Sequence, residues 1–249
     1  MHRFIIISLL LIFQCQKSEI QSADFLQGVN NTDFLTGNFS EKSLPVYTNP
    51  KEKTTAPLRQ ETITALQKLI NDFEKETNMP VKQHIFITSG FRSFSSQKGI
   101  WEGKFTGQRK MRLPVKGKSE KEIIDLILEY SSAPGTSRHH WGTDFDINVL
   151  TNDYYQKGGR GEFIYQWMKK NAARYGFCQP YNELAKRNNK GYNEEKWHWS
   201  YKPLSSIYTR EWIKLYKEGK ISFKGKFAGS DSLGSRPLDY VSSINKDCL

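Results

Sequence analysis

Between Ser137 and Asn148 the chain reads S-R-H-H-W-G-T-D-F-D-I-N, and no other stretch limits the possible folds as much. Its second half, running on to Leu150, has the composition of a strand. Alternate strand residues share a face, so Asp144 and Asp146 point one way while Phe145 and Ile147 point into a core. Its first half is a turn that holds two of the chain's five histidines. Imidazole and carboxylate at fixed spacing are what a zinc ion needs, and a polar turn entering a strand contains the same residue types. The rest of the chain has to decide between the two.

Around this segment the hydrophobic periodicity predicts helices and few strands. Ile63, Leu66, Ile70 and Phe73 recur at helical spacing, which places an amphipathic helix within 55–78, ended by Pro80. H-I-F-I-T-S-G-F-R follows as a buried strand that stops at Gly90. Ser119 and Glu122 form a capping box, and Ile123, Ile124, Ile127 and Leu128 make the apolar face of the helix it opens. Ala133-Pro134-Gly135 ends that helix and delivers the chain into the histidine turn. Phe163, Ile164, Trp167, Met168, Ala172 and Tyr175 mark a further helix, closed by Gly176. K-W-H-W-S-Y, from Lys196, alternates polar and aromatic residues and reads as another strand, and a last helix covers roughly 204–217. Helices interspersed with few strands, and no Gly-rich phosphate loop, favour α+β over a doubly wound sheet.

The length of 249 residues suffices for one sizeable core. The expected organisation is an export signal at 1–14, a tether at 15–54, one catalytic-size domain at 55–220 and a C-terminal tail at 221–249. Arg3 precedes a short apolar run from Phe4 to Phe13, which is the pattern of an export signal and too short to span a bilayer. Cys15 follows at once, as in lipoproteins, where such a cysteine is lipidated; the departure is Gln14, where a small residue is usual. The expectation is an exported, lipid-anchored protein of the cell envelope or periplasm, with ordinary secretion as the alternative. The formal net charge of +11 suits anionic envelope polymers and lipid head groups. No recognition motif accompanies the charge, so no nucleic-acid partner is expected. Six basic and no acidic residues lie between Lys104 and Lys118, as a solvated loop or as a grip on an acidic substrate. Cys178 and Cys248 would staple the tail to the body if they paired, and their separation in sequence leaves that open.

A hydrolytic zinc site wants three protein ligands and an open position. His139 and Asp146 offer an imidazole and a carboxylate seven residues apart, and His198 is a third candidate. Glu195, in E-K-W-H, stands close enough to sit beside the same ion as a general base.

Together these residues resemble a known family. S-R-H-H-W-G-T-D-F-D matches the S-x-H-x-x-G-x-x-x-D signature, and G-Y-N-E-E-K-W-H-W-S-Y matches the E-x-W-H signature, of the VanY-like D-alanyl-D-alanine carboxypeptidases. These zinc peptidases are related in fold to lysostaphin-type peptidases and to the hedgehog signalling domain. A third element, S-G-F-R-S-F-S-S-Q from Ser89 to Gln97, is also present. The resemblance implies a small antiparallel sheet that carries the zinc site between flanking helices. It implies His139, Asp146 and His198 as zinc ligands, Glu195 as catalytic base and Arg92 as a contact to substrate or transition state. Ser137 and Gln97 are expected to orient substrate or else to cap backbone. His139 is preferred over His140 because it alone keeps the family spacing to Asp146. Asp144 stands where many members have Ala, either as an outer partner of the site or as a rival ligand. Of Trp197 and Trp199, at least one is expected to pack in the core and the other to wall the cleft. His84 reads as structural, and His2 as lost with the signal. The implied activity is a monomeric peptidase that trims peptidoglycan stem peptides at a terminal D-alanine. An endopeptidase of the same wall is the near rival, and a noncatalytic wall-binding lipoprotein the distant one; a binding module would have no need of Glu195.

Overall fold

The computed structural model describes residues 25–49, 54–77, 84–187 and 189–249. The export run, Cys15, the start of the expected tether and Pro80 lie outside the described residues. Helix α1 (Asn31–Thr36), strands β1 (Val46–Thr48) and β2 (Thr55–Pro57) and helix α2 (Gln60–Thr77) come first. The helix expected within 55–78 starts late because Thr55–Pro57 pairs antiparallel with β1, and a residue before proline favours extended backbone. Strand β3 (Ile87–Ser89), helix α3 (Phe94–Phe105) and helix α4 (Glu120–Leu128) follow. The capping box that opens α4 is formed in both directions between Ser119 and Glu122. A 3-10 turn at Arg138–Trp141 then leads into β4 (Asp144–Ile147). Beyond it lie α5 (Asn152–Tyr155), α6 (Glu162–Asn171), β5 (Phe177–Cys178), β6 (His198–Tyr201), α7 (Lys202–Lys217) and α8 (Arg236–Ser242).

A four-stranded antiparallel sheet in the order β3-β4-β6-β5 carries the histidine turn and the second motif side by side. Its register sets Asp146 opposite His198 and Asp144 opposite Ser200. Because the strand period is two, Phe145, Ile147 and Trp199 fall on the other face. There they pack with Phe177 and with Leu66, Ile70 and Phe73 of α2 and Ile164 and Met168 of α6. A second core gathers Phe34 and Leu35 of α1, Trp101 of α3, Ile124 and Leu128 of α4 and Tyr208 and Trp212 of α7. On the polar face of the sheet Asp144 and Ser200 are fully buried, and the fold is α+β. Among the described residues no helix is long and apolar enough to cross a membrane.

Two segments depart from expectation. Residues 25–49, read as part of a tether, pack onto the body: Phe25, Phe34, Leu35, Leu44 and Tyr47 are all buried, and the Trp141 indole donates to the Leu35 carbonyl. A handful of large apolar side chains suffices to dock a segment whose average composition is polar, because each buried one contributes on the order of 1.5–3 kcal/mol. Residues 221–249, read as a tail, bury Ile221, Phe223, Phe227, Leu233, Val241 and Ile244 in the second core and form a disulfide between Cys248 and Cys178.

Candidate metal centre

The turn ahead of β4 depends on Gly142, whose φ of +66° closes the 3-10 segment in the left-handed region. A β-carbon there would also meet the Arg59 backbone nitrogen at 3.2 Å. This turn brings the His139 ring over the end of β4, and the β4–β6 register brings His198 to the same point. One ligand atom from each of His139, Asp146 and His198 lies within 4.8 Å of the other two, and all three residues are buried.

Outer hydrogen bonds decide which ring nitrogen is free. His139 Nδ1 lies 2.8 Å from the Gly90 carbonyl, which can only accept, so Nδ1 carries the proton and Nε2 faces inward, 3.4 Å from Asp146 Oδ2. His198 Nε2 lies 3.0 Å from Asp144 Oδ1 and donates to it. Its Nδ1 then faces Asp146 Oδ1 at 3.2 Å and Glu195 Oε2 at 3.4 Å. Lone pairs crowded in this way repel unless a proton or a cation lies among them. Asp146 Oδ1 is buried without a hydrogen-bond partner, which is the state of a donor atom awaiting a cation. Two imidazoles and a carboxylate suit zinc. Without such an ion, burial opposes an imidazolium at His198, yet the carboxylates of Asp144, Asp146 and Glu195 around the ring outweigh it and hold the ring's pKa well above its ordinary value. Burial pushes the Glu195 carboxyl up, against the pull of His198.

Asp144 is not a rival ligand. Its Oδ1 accepts from Arg138 Nε at 2.9 Å as well as from His198, and its Oδ2 accepts from Thr143 at 2.7 Å and Ser200 at 2.9 Å. His140 is likewise occupied elsewhere: Nδ1 donates to the Arg92 carbonyl and Nε2 accepts from the Gly135 N–H. Burial lowers its pKa to about 3, so the ring is a neutral brace between the histidine turn and the β3–α3 loop. That loop holds Arg92, whose N–H donates to the His139 carbonyl. The guanidinium donates to Gln97 Oε1 at 2.9 Å and Ser89 Oγ at 3.1 Å. Gln97 in turn donates to the Ser132 carbonyl at 2.6 Å, so it positions Arg92 from beneath. Ser137 Oγ is buried and has no hydrogen-bond partner. Glu195 is set by its backbone: its N–H donates to the Tyr181 carbonyl and its carbonyl accepts from Gln179.

The donor atoms open onto a cleft of about 750 Å³. Trp197 and Tyr130, with ring centroids 6.3 Å apart, form an apolar wall, while Trp199 packs in the core. Tyr181, whose ring centroid lies 4.9 Å from that of His198, also lines the cleft and carries no sequence signal. Lys104 and the first half of the basic stretch also line the cleft.

A buried His-Asp-His donor set with a carboxylate beside it, open on one side to a cleft, is the frame of a mononuclear metal centre rather than of a closed structural site. The VanY family of D-alanyl-D-alanine carboxypeptidases matches residues 55–204, and the chain belongs to it. A D-alanyl-D-alanine carboxypeptidase of Enterococcus faecalis is 27% identical over 133 residues, which cover 53% of this chain and 44% of that protein. An uncharacterized protein of Haemophilus influenzae is 30% identical over 86 residues, 30% of this chain and 64% of its own length. The chain thus spans less than two thirds of either curated relative. Among solved structures, VanYB in complex with D-alanine-D-alanine aligns with a TM-score of 0.48 at 20% identity, covering 77% of this chain and 89% of that one. The LD-carboxypeptidase LdcB aligns with a TM-score of 0.44 at 22% identity, covering 66% and 68%.

Proposed function

We propose that this protein is a zinc-dependent carboxypeptidase that removes the terminal D-alanine of peptidoglycan stem peptides. The observation that carries the reading is the buried convergence of His139, Asp146 and His198 with Glu195 at its edge, in a chain of the VanY family. His139 Nε2, Asp146 and His198 Nδ1 would hold zinc, which when bound polarises a carbonyl and makes a water acidic near neutral pH. Glu195 takes the proton of the attacking water and returns it to the departing amine as the C–N bond breaks. Burial pushes the Glu195 carboxyl above its ordinary pKa, so its carboxylate is a stronger base toward the water's proton than a solvated one would be. Arg92, held by Gln97 and Ser89, has N–H groups left over to donate to the developing oxyanion.

The test is release of D-alanine from a D-alanine-terminated pentapeptide, followed by mass spectrometry, with zinc content measured in parallel. Wild type should release it, and Glu195→Gln should lose about 10²–10⁴-fold in rate while keeping its zinc. No release by zinc-loaded wild type, or near wild-type turnover in the variant, overturns the reading.

A further inference from the structure

Besides Arg112, four cations line the cleft: Arg92, Lys104, Arg109 and Lys110. Among the described residues none of them has a carboxylate within ion-pair distance, whereas neighbouring Arg112 is neutralised by Glu129 at 2.6 Å. The carboxylates that share the cleft are Asp146 and Glu195 of the centre and Asp153 at the start of α5. Two of the four cations are placed by the fold. Lys104, near the end of α3, is half-buried and donates to Ser131 Oγ. Burial lowers its pKa, the charges of Arg109 and Arg92 lower it further, and Glu195 pulls the other way, so Lys104 senses both the wall and the centre. The Arg109 stem lies across Gly103, the residue before Lys104, where an added β-carbon would come within 2.9 Å of its Cγ, and the Arg109 N–H donates to the Gly103 carbonyl. A side chain at position 103 would push Arg109 off the cleft wall.

A peptide with one terminal carboxylate and one developing oxyanion engages Arg92 and leaves the other three cations facing empty cleft. We infer that Lys104, Arg109 and Lys110 form a subsite for a second carboxylate, carried on a side chain that precedes the scissile bond. On the proposed function, on which this inference rests, the preferred stem peptide contains a diamino acid with a free carboxylate. The same peptide with that carboxylate amidated, or with lysine in its place, is the poorer ligand. The position of the cations inside the cleft, within electrostatic reach of Glu195, favours a peptide substrate over a polyanion lying on the outer surface.

The experiment compares two pentapeptides identical except for that carboxylate, free or amidated. Binding to the full-length, zinc-loaded Glu195→Gln protein is measured by calorimetry, so that the comparison does not depend on turnover. The acid should bind about tenfold more tightly, the scale of one charge-assisted hydrogen bond, and the ratio should shrink with added salt because the wall is solvated. Arg109→Gln/Lys110→Gln should bring the ratio toward one. Gly103→Ala, which keeps every charge and favours helix, should lower it by displacing the Arg109 stem. Equal affinities for the two peptides overturn the inference. So does a ratio untouched by the double substitution, or an equal loss on both peptides, which would mark a general field for any anion. Hydrolysis of the two peptides by wild type is followed separately: its absence would count against the proposed function, while the binding ratio still decides the subsite.

Discussion

Asp144 accepts four hydrogen bonds with no exposure to solvent, two from uncharged hydroxyls, one from Arg138 and one from His198. Burial alone would favour its neutral form, but the Arg138 guanidinium and His198 hold its carboxyl well below the usual range. The Arg138 side chain is itself fully enclosed, donating also to Thr209 at 2.8 Å and Ser200 at 2.7 Å. A buried ion pair of this kind adds little net stability, yet removing one partner strands the other and costs about 3–5 kcal/mol. Asp144→Asn is therefore expected to destabilise the protein by about that amount. It also removes the acceptor that keeps the proton on His198 Nε2, and zinc affinity should fall about 10–100-fold, as for other partners of metal-ligating histidines. Competition against a chromophoric chelator reads the second effect; an affinity equal to wild type would reduce Asp144 to a structural counter-ion for Arg138. The sequence placed Asp144 on the ligand face of its strand but could not say what it touched, because two of its partners, His198 and Ser200, lie more than fifty residues further on.

At the scale of elements, what could be read in advance were those with a local signature. Helix α4 has its capping box and apolar stripe, α6 its periodicity and terminal glycine, and α7 its buried face. Helix α3 has none of these: F-S-S-Q-K-G-I-W-E-G-K-F contains two glycines and buries only Gln97 and Trp101. Its anchors are distant, since the Trp101 indole donates to the Ala228 carbonyl and Gln97 to the Ser132 carbonyl. Strand β5, two residues long at the sheet edge, is secured by the Cys178–Cys248 disulfide across a separation of 70 residues. Closing a loop of that length restricts the unfolded chain, and removal should cost roughly 2–4 kcal/mol. Cys178→Ser/Cys248→Ser should accordingly unfold at lower urea, with the tail around Asn245 loosened from the Pro180 carbonyl it now meets. An unchanged midpoint would mean that the apolar contacts of 221–244 hold the C-terminal segment unaided.

For the molecule as a whole, the metal centre joins two segments that are some fifty positions apart in the chain, so a bound ion should act on global stability. A ligand that binds only the folded state at a hundredfold excess over its Kd adds about 2.7 kcal/mol. Zinc-loaded protein should thus melt several degrees above chelator-treated protein, at about 2–4 °C per kcal/mol for a chain of this size. Asp146→Ala should abolish the difference. Equal melting temperatures with and without zinc in wild type would show that the donor atoms do not take the ion in the folded state.

Legible in the chain alone were the four candidate site residues of two spaced motifs and the strand face that Asp144 and Asp146 share, because a strand's period of two is local. So were the main helices, whose apolar stripes need no partner to be recognised. Visible only in the folded chain were the docking of 25–49 and 221–249 onto the body, the place of Asp144 behind His198, and the part of the basic stretch that lines the cleft. Each of these depends on contacts between segments far apart in the chain, and the free energy that selects such contacts, from burial and from pairing buried charge, has no local signature in either segment alone.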